Sequence, residues 1–168
     1  TISEYIEMIR LKTAVLLAAA MKIGAICGGA DDKDAQYLYE FGIGIGIAFQ
    51  LKDDLLDVYG DPKDFGKEIG GDICCNKKTF LLINAINQAE GNDKKELLQW
   101  LKKKSFDRNE KVAAVTNIYN KLHLRTFTEN KMKEYYDQAL TALRKINKNE
   151  TEKAGFYQLA EKLMYRIS

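Results

Sequence analysis

Three aspartates, Asp53, Asp54 and Asp57, follow an apolar run in which glycines alternate at Gly42, Gly44 and Gly46. On a helix Asp53 and Asp57 share a face one turn apart, and Asp54 lies about 100° round from Asp53. Carboxylates this close repel one another and normally need cations between them. Mg2+ suits such a group, because it takes one or two protein carboxylates, keeps several waters and completes its octahedron with phosphate oxygens. The chemistry implied is diphosphate handling. A plain solvated acidic face is the competing reading. It is disfavoured by the preceding glycines, each of which costs a helix about 1 kcal/mol against alanine and so implies close approach of another helix.

The stretch after the aspartates, Gly60-Asp61-Pro62 to Gly66-Lys67 and on to Gly70-Gly71-Asp72-Ile73, is rich in glycine and reads as a loop. It is one residue too long for a Walker A loop, and Glu68 stands where that motif needs Ser or Thr. The aspartates also miss the alternating ligands and central glycine of an EF-hand. Lys67 in such a loop makes sense as part of a flap whose ammonium counters diphosphate charge. Lys12 sits inside an otherwise apolar helix, so it either snorkels to the surface or faces a cleft. His123 is the one histidine, and no nucleophilic triad assembles around it.

The elements that must position these residues are helical throughout. Apolar residues recur at helical spacing, there is one proline, and no useful strand-like alternation occurs, so the class is all-α. The pattern predicts a first helix from Thr1 to about Cys27, with Thr1 and Glu4 as a capping box. A second runs from about Ala35 to Tyr59, capped by Asp32 or Asp34. A third opens at Asn76 and stops at Gly91-Asn92. Further helices are expected at about Asp93–Lys104, Asp107–Leu122, Thr128–Lys145 and Thr151–Tyr165. Met132, Tyr135, Tyr136, Ala139, Leu140 and Leu143 form the apolar stripe of the longest of these. The 168 residues, 46% hydrophobic, suffice for a single helical domain over 1–168. A net charge of +2 from 26 basic and 24 acidic residues argues against nucleic-acid binding. Lys102-Lys103-Lys104 reads as a helix end. Three cysteines, Cys27, Cys74 and Cys75, fit neither a disulfide framework nor a zinc site, which favours a reducing, cytoplasmic setting. Leu11–Ala30 and Phe41–Leu51 read as buried helices, with no stable membrane insertion.

The ordered set Phe49-Gln50, Asp53-Asp54-x-x-Asp57, Gly60-Asp61-Pro62, Gly66-Lys67 and Gly71-Asp72-Ile73 resembles the second aspartate-rich region of the trans-polyprenyl diphosphate synthases, the farnesyl and geranylgeranyl diphosphate synthase family. Tyr5, Met8, Lys12-Thr13-Ala14, Gly24-Ala25 and Gly28 resemble the helix before it, and Asn76-Lys77-Lys78-Thr79 the segment after it. The likeness is dense to about residue 90 and beyond that is mainly a helical pattern. It implies a helical bundle of the isoprenoid synthase type. Mg2+, three ions per complete site, would be ligated by Asp53 and Asp57, with Asp54 acting through water or hydrogen bonds. Lys12, Lys67 and Lys77 would bind diphosphate. Lys12, Thr13, Gln50 and Lys67 would serve catalysis, and Phe49 and Gln50 would line the cavity, the glutamine near the developing allylic cation. The reaction implied is head-to-tail condensation of isopentenyl diphosphate with an allylic diphosphate by a homodimer.

Members of that family carry two aspartate-rich motifs on facing helices, the first followed by an arginine pair. Asp31-Asp32-Lys33-Asp34 has the wrong spacing and no arginine pair, so it does not supply the first. The expectation is therefore the C-terminal portion of a longer synthase, inactive by itself. A noncatalytic helical partner subunit of a heteromeric synthase is the alternative. A terpene cyclase fits less well, since its second metal motif is usually of mixed Asn/Ser/Glu type. Arg166 is read as an ordinary surface residue rather than a substrate-closing tail.

Overall fold

The computed structural model describes residues 1–61 and 69–164. Lys67 and Arg166 lie outside the described residues. Among those residues every regular element is helical, as the spacing predicts: α1 (Ile2–Ile9), a π-helical segment (Arg10–Ala14), α2 (Val15–Cys27), α3 (Asp32–Tyr59), α4 (Gly71–Cys74), α5 (Phe80–Gln88), α6 (Gly91–Lys102), α7 (Arg108–Lys121), α8 (Leu124–Arg144) and α9 (Glu150–Met164). They fall into two compact units, one holding residues 1–5 and 53–129, the other 6–52 with the described part of 130–167.

In the first unit the capping box is present, with Thr1 Oγ1 accepting the Glu4 N–H at 3.2 Å. Phe80, Leu81, Leu97, Ile118 and Tyr119 make the core. Asp107 caps α7 by accepting the Glu110 N–H at 2.9 Å. Lys103 follows the end of α6 and lies over the Trp100 ring at 4.4 Å, so the lysine run is indeed a helix end. Two expected boundaries are corrected. Asn76 does not open a helix: it takes φ +53, and α5 begins after Thr79, whose hydroxyl caps it by accepting the Leu82 N–H at 3.2 Å. Gly91, expected as a stop, takes φ +53 and starts α6 instead. His123, also at φ +53, joins α7 to α8, a structural role.

In the second unit the alternating glycines do what their lack of side chains permits. A Cβ on Gly42 would lie 2.5 Å from Ala18 Cα, and one on Gly46 2.5 Å from Ala14 Cα. Gly44 faces the other way, where a Cβ would lie 2.8 Å from Ala139 of α8. Asp31, rather than Asp32 or Asp34, caps α3, accepting the Asp34 N–H at 2.7 Å. The apolar stripe of α8 buries Met132, Tyr136, Ala139 and Leu143. Two further corrections concern the first helix. Its turn at Arg10–Ala14 is π, closed by the Val15 N–H on the Arg10 carbonyl. Its expected burial holds on one side only. Ala14 and Ala18 are buried where they pack against Gly46 and Gly42 of α3, while Leu11, Leu16, Ile23 and Ile26 are exposed by 53 to 77%.

Candidate functional site

The acidic cluster is built in the first unit, where the last turns of α3 meet α4 and the segment before α5. Asp54 is 1% exposed. Its Oδ2 accepts the Tyr5 hydroxyl and, at 3.4 Å, the Phe80 N–H. Its Oδ1 is buried without a hydrogen-bond partner, and the Lys77 ammonium stands 3.6 Å from it. Lys77 also donates to Asp72 Oδ2 at 2.7 Å. Asp57 is half-buried and accepts the Asp72 N–H through Oδ2 at 2.9 Å. Gly70 permits this approach. It takes φ +80, its N–H reaches the Asp57 carbonyl at 2.6 Å, and a Cβ there would lie 2.5 Å from Val112. Asp53 is half-buried on the same helix.

The electrostatics of the cluster are set first by burial. Burial pushes the Asp54 carboxyl above the usual range, against the pull of Tyr5, Lys77 and the Phe80 amide. Burial does the same to Asp57, reinforced by the Asp72 charge and opposed by the Asp72 amide. Burial opposes the charge on Lys77 too, but Asp72, Asp54 and Asp57 outweigh it and raise that group. Burial and then the Asp54 charge hold the Tyr5 hydroxyl protonated. Lys77 thus occupies the place of a cation.

Of the other residues singled out, Thr13 and Gln50 meet in the second unit, the Thr13 hydroxyl donating to Gln50 Oε1 at 3.2 Å. The π turn carries both Lys12 and Thr13. Lys12 is exposed, and Phe49 is half-buried. Tyr5 and Asp72 are site residues that the spacing did not assign as such, although both stand in the motifs. Their contacts to Asp54 and Asp57 cross 49 and 15 positions of sequence, which no local pattern reports.

Among the described residues no group of three or more His, Cys, Asp or Glu side chains forms a ready metal cage. The donor set nevertheless fits Mg2+: hard carboxylate oxygens, with an orphaned Oδ1 on Asp54. No helix among those residues is long and apolar enough to cross a membrane. All three cysteines are free thiols.

The profile of the polyprenyl synthetase family matches residues 1–121. A geranylgeranyl diphosphate synthase of Sulfolobus acidocaldarius is 36% identical over 86% of this chain and 43% of its own length. The crystal structure of a geranylgeranyl pyrophosphate synthetase from Pyrococcus horikoshii Ot3 superposes with a TM-score of 0.87 at 32% identity, over 99% of this chain and 50% of that one. A polyprenyl synthase from Caulobacter crescentus CB15, complexed with calcium and isoprenyl diphosphate, superposes with a TM-score of 0.86 at 28% identity, over 98% of this chain and 49% of that one. The chain spans about half the length of the relatives it matches. Its helices are those of the all-α isoprenoid synthase fold, and with the family profile covering most of its length the chain belongs to the polyprenyl synthetase family.

Proposed function

We propose that the chain is the part of a trans-prenyl diphosphate synthase that carries the second aspartate-rich face, in an enzyme that condenses isopentenyl diphosphate with an allylic diphosphate. The observation that carries this reading is the Lys77 ammonium between Asp72 and the buried, partly unsatisfied Asp54. An acidic cluster holding one internal cation is suited to exchange it for metal and diphosphate. The calcium and isoprenyl diphosphate bound by the Caulobacter relative agree with that ligand class.

Mg2+ held by Asp53 and Asp57, with Asp54 behind them and three ions in the complete site, would draw charge from the allylic diphosphate as it leaves. The chain's own residues supply the rest. Lys77, drawn off the aspartates, donates charge-assisted hydrogen bonds to diphosphate oxygens, and Lys12 and Lys67 add to that charge. Thr13 holds the side-chain amide of Gln50 by donating to its Oε1, and in this reading Gln50 is the residue near the developing allylic cation. Phe49 contributes to an apolar wall that keeps water from that cation. The double bond of isopentenyl diphosphate attacks, and the released diphosphate takes the proton that restores the alkene. The complete enzyme is a homodimer in this reading, and this half alone does not turn over.

The test is a nuclear magnetic resonance titration of the isotopically labelled chain with inorganic pyrophosphate, Mg2+ and both. Amide signals of Asp72 and Phe80 are expected to move when both are present. Signals that stay fixed up to millimolar pyrophosphate and Mg2+ would contradict the reading.

A further inference from the structure

Lys77 sits in an irregular segment, and the means by which that segment is held lie elsewhere in the first unit. The preceding residue, Asn76, takes φ +53, in the left-handed region that a side chain other than glycine rarely adopts. Its side chain bonds at both ends. Nδ2 donates to the Leu101 carbonyl at 3.0 Å, and Oδ1 accepts the Lys111 ammonium at 2.7 Å. Lys111, on α7, is 0% exposed, also donates to the Cys74 carbonyl at 3.2 Å and lies 4.2 Å from the centre of the Phe106 ring. A lysine is rarely buried to this degree, and here it is met by a carbonyl, an amide oxygen and an aromatic face. Burial pulls this ammonium below its ordinary range, in keeping with a group retained in spite of its solvation cost.

The bonds of Lys111 bracket the backbone on which Lys77 depends. Cys74 ends α4, which also carries Asp72, and Asn76 aims the chain at Lys77. The Lys77 backbone is fixed in turn by its N–H on the Asp72 carbonyl at 2.9 Å and its carbonyl on the Thr79 N–H at 2.7 Å. We propose that Lys111 and Asn76 are positioning residues, a buried clamp that holds the Lys77 ammonium against Asp72 and Asp54. Their part in the reaction rests on the reading that Lys77 meets diphosphate, whereas the clamp itself is a statement about where Lys77 is held.

Two variants of the 168-residue chain test the clamp. Asn76→Gly keeps the left-handed backbone without strain and removes both side-chain bonds. Lys111→Met keeps the length of the side chain and removes the ammonium, a change that buried charges often tolerate. Acylation of Lys77 by a succinimidyl ester is followed by mass spectrometry, with the neighbouring Lys78 as internal reference. Both folded variants are expected to raise the Lys77:Lys78 rate ratio roughly fivefold, as loss of a net interaction of ordinary size would. An unchanged ratio in a variant with wild-type helix content overturns the clamp, and Asn76→Gly alone decides if Lys111→Met does not fold.

In the synthase that contains this chain, Asn76→Gly should raise KM for the allylic diphosphate, yet add nothing in a Lys77→Met background. Additive losses would contradict a role exerted through Lys77. A Lys77→Met enzyme with full turnover, together with a raised acylation ratio, would leave the clamp standing and remove the diphosphate reading.

Discussion

The Oδ2 atom of Asp57 accepts the backbone N–H of Asp72 at 2.9 Å, which ties the last turn of the long helix α3 to the short helix α4. In the proposed function this carboxylate has two tasks, holding α4 in place and offering its charge to a cation. The two separate by substitution. Asp57→Asn retains an acceptor for the Asp72 amide and loses the charge, so in the synthase it should keep the wild-type melting temperature within a few degrees and lose turnover. Asp57→Ala loses both and should in addition be destabilised by about 1–3 kcal/mol. Thermal melts alongside turnover measurements check this, and equal melting for the two variants would contradict it.

Gly46 lies where a Cβ would come within 2.5 Å of Ala14 Cα, a backbone atom that cannot step aside. Gly46→Ala should cost about 1–3 kcal/mol despite the better helix propensity of alanine. Gly24→Ala is the control, since a Cβ there meets nothing within 4 Å. It should be neutral or mildly stabilising in a chemical denaturation curve.

Tyr119 and Tyr59 give the chain a sensitivity to alkali. Burial pushes the Tyr59 hydroxyl up to about 12 from an ordinary 10.0, and burial raises Tyr119 as well. Above pH 10 the unfolded chain loses these protons while the folded chain keeps them. The folded state then binds more protons, and stability falls as pH rises from the unfolded value toward the folded one. Tyr119→Phe should flatten the fall in denaturant midpoint between pH 10 and 12 relative to wild type. Parallel curves would show that the hydroxyl is not the cause.

The exposed apolar residues of the first helix, Leu11, Leu16, Ile23 and Ile26, make a face that water does not favour. The 168-residue chain should self-associate in sedimentation experiments at rising concentration. The double variant Leu16→Glu, Ile23→Glu should stay monomeric over the same range with unchanged helix content. Association that is indifferent to this change would place the contact elsewhere.

Much of this architecture can be read from spacing alone, because a helix declares itself by where its apolar residues recur. The buried stripe of α8 and the Thr1–Glu4 box are local patterns, and each appears where the residues indicate. The beginnings of α5 and α6 are less legible for a physical reason. Asn76 and Gly91 both take φ +53, a conformation that lets one residue end an element or precede the next. The π turn at Arg10–Ala14 leaves no mark in the apolar spacing. At the site the aspartates stand out because three carboxylates within two turns demand an explanation. Tyr5, which reaches Asp54 from 49 positions away, does not, and neither does Lys111, whose burial, unlike the exposure of Lys121 on the same helix, only the fold reveals.

The account turns on the acidic face, and incorporation of labelled isopentenyl diphosphate into a longer prenyl diphosphate tests it most directly. The assay uses the synthase proposed above to contain this chain, with and without Mg2+, as wild type and as Asp53→Ala. The prediction is Mg2+-dependent turnover in the wild type and its abolition, by about 100-fold or more, in Asp53→Ala with unchanged helix content. Turnover near the wild-type rate in Asp53→Ala, or undiminished turnover after removal of divalent metal, would contradict the central claim.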